Sequence, residues 1–177
     1  MLKLRNIEYA DIPEIVALTR EVATRMPEPS HFVSTDEECL VNYLHDEVGV
    51  ITGACDEQGR IAAYTILTFP GRSEDNLGRE LGISEDELPL VASLDTTIVH
   101  EDARGQGLQL QFHRHREQIA RSRGMRYLYA TVHPDNAYSI RNLEAAGLTR
   151  RFTRFMYGGL PRHCYAKELH PADQAER

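Results

Sequence analysis

The feature that most limits what this chain can fold into is the stretch Arg104-Gly105-Gln106-Gly107-Leu108, which joins a β-rich run to a helical one. Leu90 to Val99 reads as a central strand. Gln106 to Arg123 repeats apolar residues at helical spacing, with Leu108, Phe112 and Ile119 facing inward. Two glycines at such a junction let the backbone approach a ligand. Amide N–H groups at the helix start then converge where the macrodipole favours negative charge. The result is a cradle for a pyrophosphate. It is not a Walker loop, since no Lys-Ser/Thr follows to grip phosphate and magnesium. It is not a nicotinamide site either, because a third glycine and a well-placed ribose-binding acid are missing.

The flanking segments supply the rest of the order. Leu2, Leu4 and Ile7 open a strand, and Asp11 with Glu14 gives a capping-box-like signal for a helix near residues 12–25. Met26-Pro27-Glu28-Pro29-Ser30 breaks the chain before a second helix, which follows Thr35 and keeps Leu40, Tyr43 and Leu44 on one face. A hairpin runs Val48 to Ala54, turns at Asp56 to Gly59 and returns through Ile61 to Phe69. Residues 70–89 are polar and acidic, with a helix signal at Ser84-Glu85-Asp86-Glu87, and read as an ordered insertion near a functional rim. Met125 to Val132 is a strand, and Asp135 or Asn136 caps a helix that stops at Ala146 before Gly147. Phe152 to Tyr157 and His163 to Glu168 form a terminal hairpin around Gly158-Gly159-Leu160-Pro161. The order β-α-α-β-β-β-α-β-α-β-β predicts a single α/β domain over 1–169, a mixed, mostly antiparallel sheet flanked by helices, with a flexible tail at 170–177.

Composition narrows the function. At 41% hydrophobic and 27% charged, the 177 residues can bury a core. The charges interleaved from Met1 to Arg5 leave no apolar run for a signal peptide or membrane span, so a cytoplasmic protein without a membrane partner is expected. Cys39, Cys55 and Cys164 are odd in number and widely spaced, which suggests neither a disulfide framework nor a metal site. Residues 1–100 carry 7 basic and 19 acidic side chains, against 13 and 8 in 101–177. The second half suits a polyanionic ligand and the first a cationic one. The net charge of −7 disfavours nonspecific nucleic-acid binding.

Two blocks carry a resemblance. Val99-His100-Glu101-Asp102-Ala103-Arg104-Gly105-Gln106-Gly107 is followed by Asn136-Ala137-Tyr138-Ser139-Ile140-Arg141-Asn142-Leu143-Glu144-Ala145-Ala146-Gly147-Leu148, and both resemble motifs of the GNAT superfamily of N-acetyltransferases. The resemblance implies acetyl-CoA as cosubstrate and no metal. It implies that Ile98, Val99 and His100 lend backbone groups to the pantetheine arm, as an added strand pairs with a sheet edge. Arg104, Gly105, Gln106, Gly107, Leu108 and Gln109 would hold the pyrophosphate, and Asn136 would reach the cofactor arm. Arg114 or Arg141 could meet the adenosine 3′-phosphate, and a homodimer is plausible. Two positions depart from the pattern. Gln109 stands where the motif usually has Gly or Ala. Leu143 stands where many members carry a tyrosine that protonates the leaving thiolate.

Acetyl transfer to an amine needs a base, a polarised carbonyl and a route for protons. Asp95 is a candidate base or substrate anchor, expected on the same strand face as Thr97 and Val99, or else a side chain bonding local backbone. His133, before Pro134, has a suitable intrinsic pKa but equally suits a surface turn. Water-mediated proton removal fits as well. Tyr138 is the nearest candidate acid, or a packed capping-turn residue. Backbone N–H groups near Ile98 and Val99, at an expected bulge, could hold the oxyanion. Acceptor contacts are expected from Met26 to Thr35, from 70–89 and from 157–163. The acceptor is expected to be a small-molecule or peptide amine, with a lean towards a cationic one. The alternative is a noncatalytic acyl-CoA-binding sensor or interaction module.

Overall fold

The computed structural model describes residues 1–33 and 35–170, in which seven strands form one sheet. The expected tail from 170 lies, apart from His170, outside the described residues. The strands are β1 (Lys3–Asn6), β2 (Gly49–Cys55), β3 (Ile61–Thr68), β4 (Val91–Val99), β5 (Tyr127–Val132), β6 (Thr149–Met156) and β7 (Leu160–Glu168). The helices are α1 (Ile12–Thr24), α2 (Glu37–His45), α3 (Leu108–Ser122) and α4 (Ala137–Ala145), so the element order matches the expected one. The strand order is β1-β2-β3-β4-β5-β7-β6, and every pair is antiparallel except β4 with β5.

Helical periodicity decides what covers each face. Ile12, Ile15, Leu18 and Val22 of α1 and Leu40 of α2 pack on Tyr64, Ile66 and Ile98 of the sheet. Ala120 of α3 and Leu143 of α4 pack on the opposite face, against Leu67, Ala92, Leu94 and Leu128. The 70–89 segment completes the first layer: Leu77, Leu81 and Ile83 lie with Val91, Tyr129 and Cys164. Asn76, only 2% exposed, orders that segment from within. Its amide donates to the Gly71 and Leu88 carbonyls at 2.7 and 3.3 Å, and its oxygen accepts from the Gly78 N–H at 2.8 Å.

Several local expectations are corrected. Glu14 forms no capping box; its carboxylate accepts from the Ile61 N–H at 2.8 Å and ties α1 to β3. Asp11 caps backwards, accepting from the Glu8 N–H at 2.9 Å and pairing with Arg5 through two bonds of 2.7 and 2.9 Å. Ser84 to Glu87 forms turns, followed by a 3-10 turn at Leu88–Leu90 instead of an α-helix. The last hairpin is tighter than expected, because Tyr157, Gly158 and Gly159 all take positive φ and bring Met156 opposite Leu160. Pro161 therefore sits within β7. It lies past the end of β5, whose pairing with β7 stops at His163, so its missing N–H costs no bond on that side.

The consequence for a ligand lies between β4 and β5. They pair only from Val91 to Ser93, opposite Tyr127 to Tyr129. Beyond that point β4 stays on β3 as far as Val99, while β5 stays on β7 as far as Val132. The two strands part, and a cleft of about 1230 Å³ opens between them.

Candidate active site

The loop that enters α3 lies at this opening. Gly105 (φ 75°) and Gly107 (φ 71°) are both left-handed, a conformation that glycine adopts without strain. Gly107 is the N-cap of α3, and no side chain caps the helix. The first main-chain bond of α3 runs from the Gln111 N–H to the Gly107 carbonyl at 3.1 Å. The amides from Gly105 to Leu110 consequently find no acceptor among the described residues. A Cβ at Gly105 or Gly107 would meet nothing within 4 Å, so this concave run is open. Free donors at a helix N-terminus fit a diphosphate.

The sheet edge beside the loop is also unpaired. His100 donates its N–H to the Ala62 carbonyl at 2.9 Å, and Val99 sits opposite Ala63. Antiparallel alternation then turns the N–H and C=O of Thr97 and Val99 away from β3, into the cleft. The His100 ring is held in place: Nδ1 accepts from the Asp102 N–H at 3.2 Å, and Nε2 lies 3.4 Å from Glu21. Arg25 bonds both Glu21 and Glu101, and so fixes the turn against the end of α1.

The bulge occurs three residues before the expected place. Thr65 pairs with Thr97 and Leu67 with Leu94, so β4 carries one extra residue at Asp95–Thr96 opposite Ile66. The extra residue flips the alternation. Thr97 bonds Thr65 at 2.7 Å on the α3 face, whereas Asp95 turns to the α2 face, where Tyr43 donates to it at 3.4 Å. This corrects the expectation that Asp95 shares a face with Thr97 and Val99. Asp95 also accepts from the Thr96 N–H at 2.8 Å and so satisfies the bulge's own amide. Burial, and then the charge of Asp95, push the Tyr43 phenol above its ordinary pKa and keep it a donor.

Behind the bulge lies Arg116 of α3, only 1% exposed. Its guanidinium donates to the Ile66 and Asp95 carbonyls at 2.9 and 3.2 Å, the main-chain groups freed by the extra residue. It also bonds His113 Nδ1 at 2.9 Å. Burial, reinforced by the Arg116 charge, pulls the His113 pKa down to about 3. The ring is therefore neutral, with its proton on Nε2, and that buried nitrogen has no partner among the described residues while the ring lines the cleft.

The model of the acetyltransferase (GNAT) family matches residues 15–148. The chain belongs to that family. No curated protein sequence matches the chain. Among solved structures, it is similar to a GNAT superfamily phosphinothricin acetyltransferase from Sinorhizobium meliloti in complex with AcCoA, at 17% identity and a TM-score of 0.72 over 99% of this chain and 92% of that one. It is also similar to the ribosomal-protein-S18-alanine N-acetyltransferase from Escherichia coli, at 19% identity and a TM-score of 0.68 over 100% and 99% of the two chains. A ribosomal-protein-alanine N-acetyltransferase from Brucella melitensis gives 20% identity and a TM-score of 0.72 over 95% and 100%. At these identities the likeness establishes the fold.

Both departures from the GNAT pattern have a structural account. Gln109 bridges two helices: its amide donates to Ser139 Oγ at 3.1 Å, and its oxygen accepts from Asn142 at 3.3 Å. The glycine turn before it is undisturbed. Leu143 is 3% exposed and packs in the core under α4. Asn136 is the cap of α4, accepting from the Ser139 N–H at 3.1 Å, and it lines the cleft. Tyr138, on the first turn of α4, is 52% exposed and lines the same cleft. Arg114 and Arg141 are exposed and lie outside the cleft lining.

His133 is buried at the end of β5, and its ring lies 4.6 Å from that of His31. Its Nδ1 accepts from the Asp135 N–H at 3.2 Å, which places the ring proton on Nε2. Met26 to Thr35, the 70–89 segment and the β6–β7 turn all contribute to the cleft wall, through residues such as Phe32, Glu74 and Tyr157. Sequence reasoning missed His31, His113, Arg116 and Arg162, the last 3% exposed on β7. Only Arg116 left a trace, as a charge on the same face of α3 as the apolar Phe112 and Ala120.

Proposed function

We propose that this GNAT protein moves an acetyl group from acetyl-CoA to a primary amine by direct attack while both are bound. The observation that carries this reading is the run of amides from Gly105 to Leu110 that find no acceptor among the described residues, opening into the cleft where β4 leaves β5. Arg104, Gly105, Gln106, Gly107, Leu108 and Gln109 hold the diphosphate. The strand edge along Ile98, Val99 and His100 takes the pantetheine arm through the free main-chain groups of Thr97 and Val99, since those of Ile98 and His100 face β3, and Asn136 meets the arm from the other wall.

The chemistry needs a new C–N bond, a broken C–S bond, two protons taken from the ammonium nitrogen and one delivered to sulfur. The amine reaches the cleft as an ammonium, drawn by Glu74, Asp75 and Asp95 on the walls. Asp95 anchors it and takes its proton, directly or through water. The Val99 N–H polarises the acyl carbonyl. Tyr138 gives a proton to the departing thiolate and is restored, through water, by the second proton that leaves the nitrogen after attack; His133, whose Nδ1 lone pair is already engaged, presents Nε2–H to the acceptor.

A second reading, a noncatalytic acyl-CoA sensor, is favoured by one observation: Leu143 leaves no hydroxyl at that point of α4. Thiol release from acetyl-CoA with a panel of amines separates the two. Sustained turnover is the expected result. Tight coenzyme A binding with no turnover on any amine would select the sensor.

A further inference from the structure

Among the described residues, Arg162 is a buried cation without a buried anion. It is 3% exposed, yet its guanidinium lies against neutral groups only: the Pro161 and Ser30 carbonyls, both at 2.8 Å, and the Tyr157 ring, whose centroid is 5.6 Å away. No carboxylate among the described residues comes within ion-pair distance of it. The neighbouring Arg154 differs, since it is paired with Glu80. Keeping a charge out of water costs several kcal/mol unless it is compensated. Tying two carbonyls together needs no charge, and a neutral amide would do it. The remaining N–H donors belong to a side chain that lines the cleft, at the acceptor end beside His133. Burial pulls the guanidinium pKa down, but from a value so high that the group stays charged.

The cleft lining holds Glu74, Asp75, Glu80 and Asp95 with Arg104, Arg116, Arg154 and Arg162. Glu80 is paired with Arg154, Arg116 is bound to the main-chain carbonyls at the bulge and Arg104 belongs to the glycine turn, so away from the cofactor loop the carboxylates of Glu74, Asp75 and Asp95 stand against the guanidinium of Arg162. A purely cationic acceptor would meet repulsion at Arg162 and leave that cation unmatched. A molecule carrying an amine and a carboxylate satisfies both ends.

We infer that the acceptor is an amino-acid-like molecule whose carboxylate pairs with Arg162 while its amine faces the acidic wall. This rests on the acetyltransferase reading above and replaces the lean towards a simple cationic amine. Bidentate pairing of a guanidinium with a carboxylate supplies orientation as well as affinity, and so sets the amine's direction of approach.

The test uses the full chain with acetyl-CoA and matched sets of free L-amino acids, their carboxamides and the corresponding decarboxylated amines. The best free acid should exceed its carboxamide by at least about a hundredfold in kcat/KM. Arg162→Gln should lower the acid's kcat/KM at least about a hundredfold, mostly through KM, leave the carboxamide's kcat/KM and the Kd for coenzyme A within about twofold, and so erase the discrimination. Arg162→Lys should keep part of it. Carboxamides or plain amines turning over as well as the acids would overturn the inference while leaving the acetyltransferase reading intact. So would an Arg162→Gln loss shared equally by acid and carboxamide. If no amine turns over, calorimetry on the coenzyme A-saturated protein still decides: binding of an N-acetyl amino acid in preference to its carboxamide upholds the inference, and equal or absent binding overturns it.

Discussion

The Arg116 guanidinium donates to the Ile66 carbonyl at 2.9 Å, and Ile66 lies opposite the bulge, where β4 offers it no partner. The same guanidinium reaches the Asp95 carbonyl at 3.2 Å, so one side chain of α3 satisfies the main chain on both sides of the irregularity. The bulge sets the direction of Asp95 and of the strand edge beyond it. Arg116 is therefore a structural condition of the cleft.

Replacing Arg116 by Met should leave two buried carbonyls unsatisfied, each costing roughly 1–3 kcal/mol. Urea denaturation should accordingly show a loss of about 2–4 kcal/mol, with Arg116→Lys falling between. A Met variant within about 0.5 kcal/mol of the parent would mean that water or a shifted register serves those carbonyls equally well.

Acid should destabilise the protein through His113. Its folded pKa, lowered to about 3 by burial and then by the Arg116 charge, lies below the 6.5 of an ordinary histidine. Between those values the unfolded chain binds a proton that the folded chain refuses. The stability is complete above about pH 6.5 and falls as pH drops towards 3, by up to about 1.4 kcal/mol per unit. His113→Asn keeps an acceptor for Arg116 and removes the titration. The parent-minus-variant difference in unfolding free energy should shift by about 2 kcal/mol between pH 7.5 and 5.0, and a constant difference would show that this imidazole is solvated.

The element order and the cradle were legible in the sequence because their signals are local. Apolar spacing identifies each helix, and two glycines at a helix start need no distant partner. The face of Asp95 was not legible, since the register that flips it depends on which β3 residue lies opposite, and Ile66 is 29 positions away in the chain. Arg116 and His113 read as ordinary polar positions on α3 until the sheet covers them. Arg162 follows a proline and two glycines, which argue for a turn, and its burial against Ser30 joins segments 132 residues apart.

Asp95 offers a separation of roles. Asp95→Asn retains an oxygen for the Thr96 N–H, which it accepts at 2.8 Å, so the bulge should persist. What is lost is the negative charge that anchors and deprotonates the amine. We expect kcat to fall at least about tenfold while the Kd for coenzyme A stays within about twofold. Undiminished turnover would leave Asp95 with its backbone role alone and shift proton removal to water.

The cradle itself is tested at Gly107, where conformation and charge can be told apart. Its φ of 71° strains any other residue by roughly 1–2 kcal/mol, although an added Cβ would meet nothing within 4 Å. Gly107→Ala should therefore weaken coenzyme A binding by no more than about thirtyfold, through backbone strain. Gly107→Glu adds a carboxylate beside the amides from Gly105 to Leu110. A unit charge about 5 Å from a phosphate at an effective dielectric near 20 repels it by about 3 kcal/mol, a further hundredfold or more. Calorimetric titration of coenzyme A into each variant measures both steps. If Glu binds as well as Ala, the diphosphate lies elsewhere, and the open amides before α3 serve another purpose.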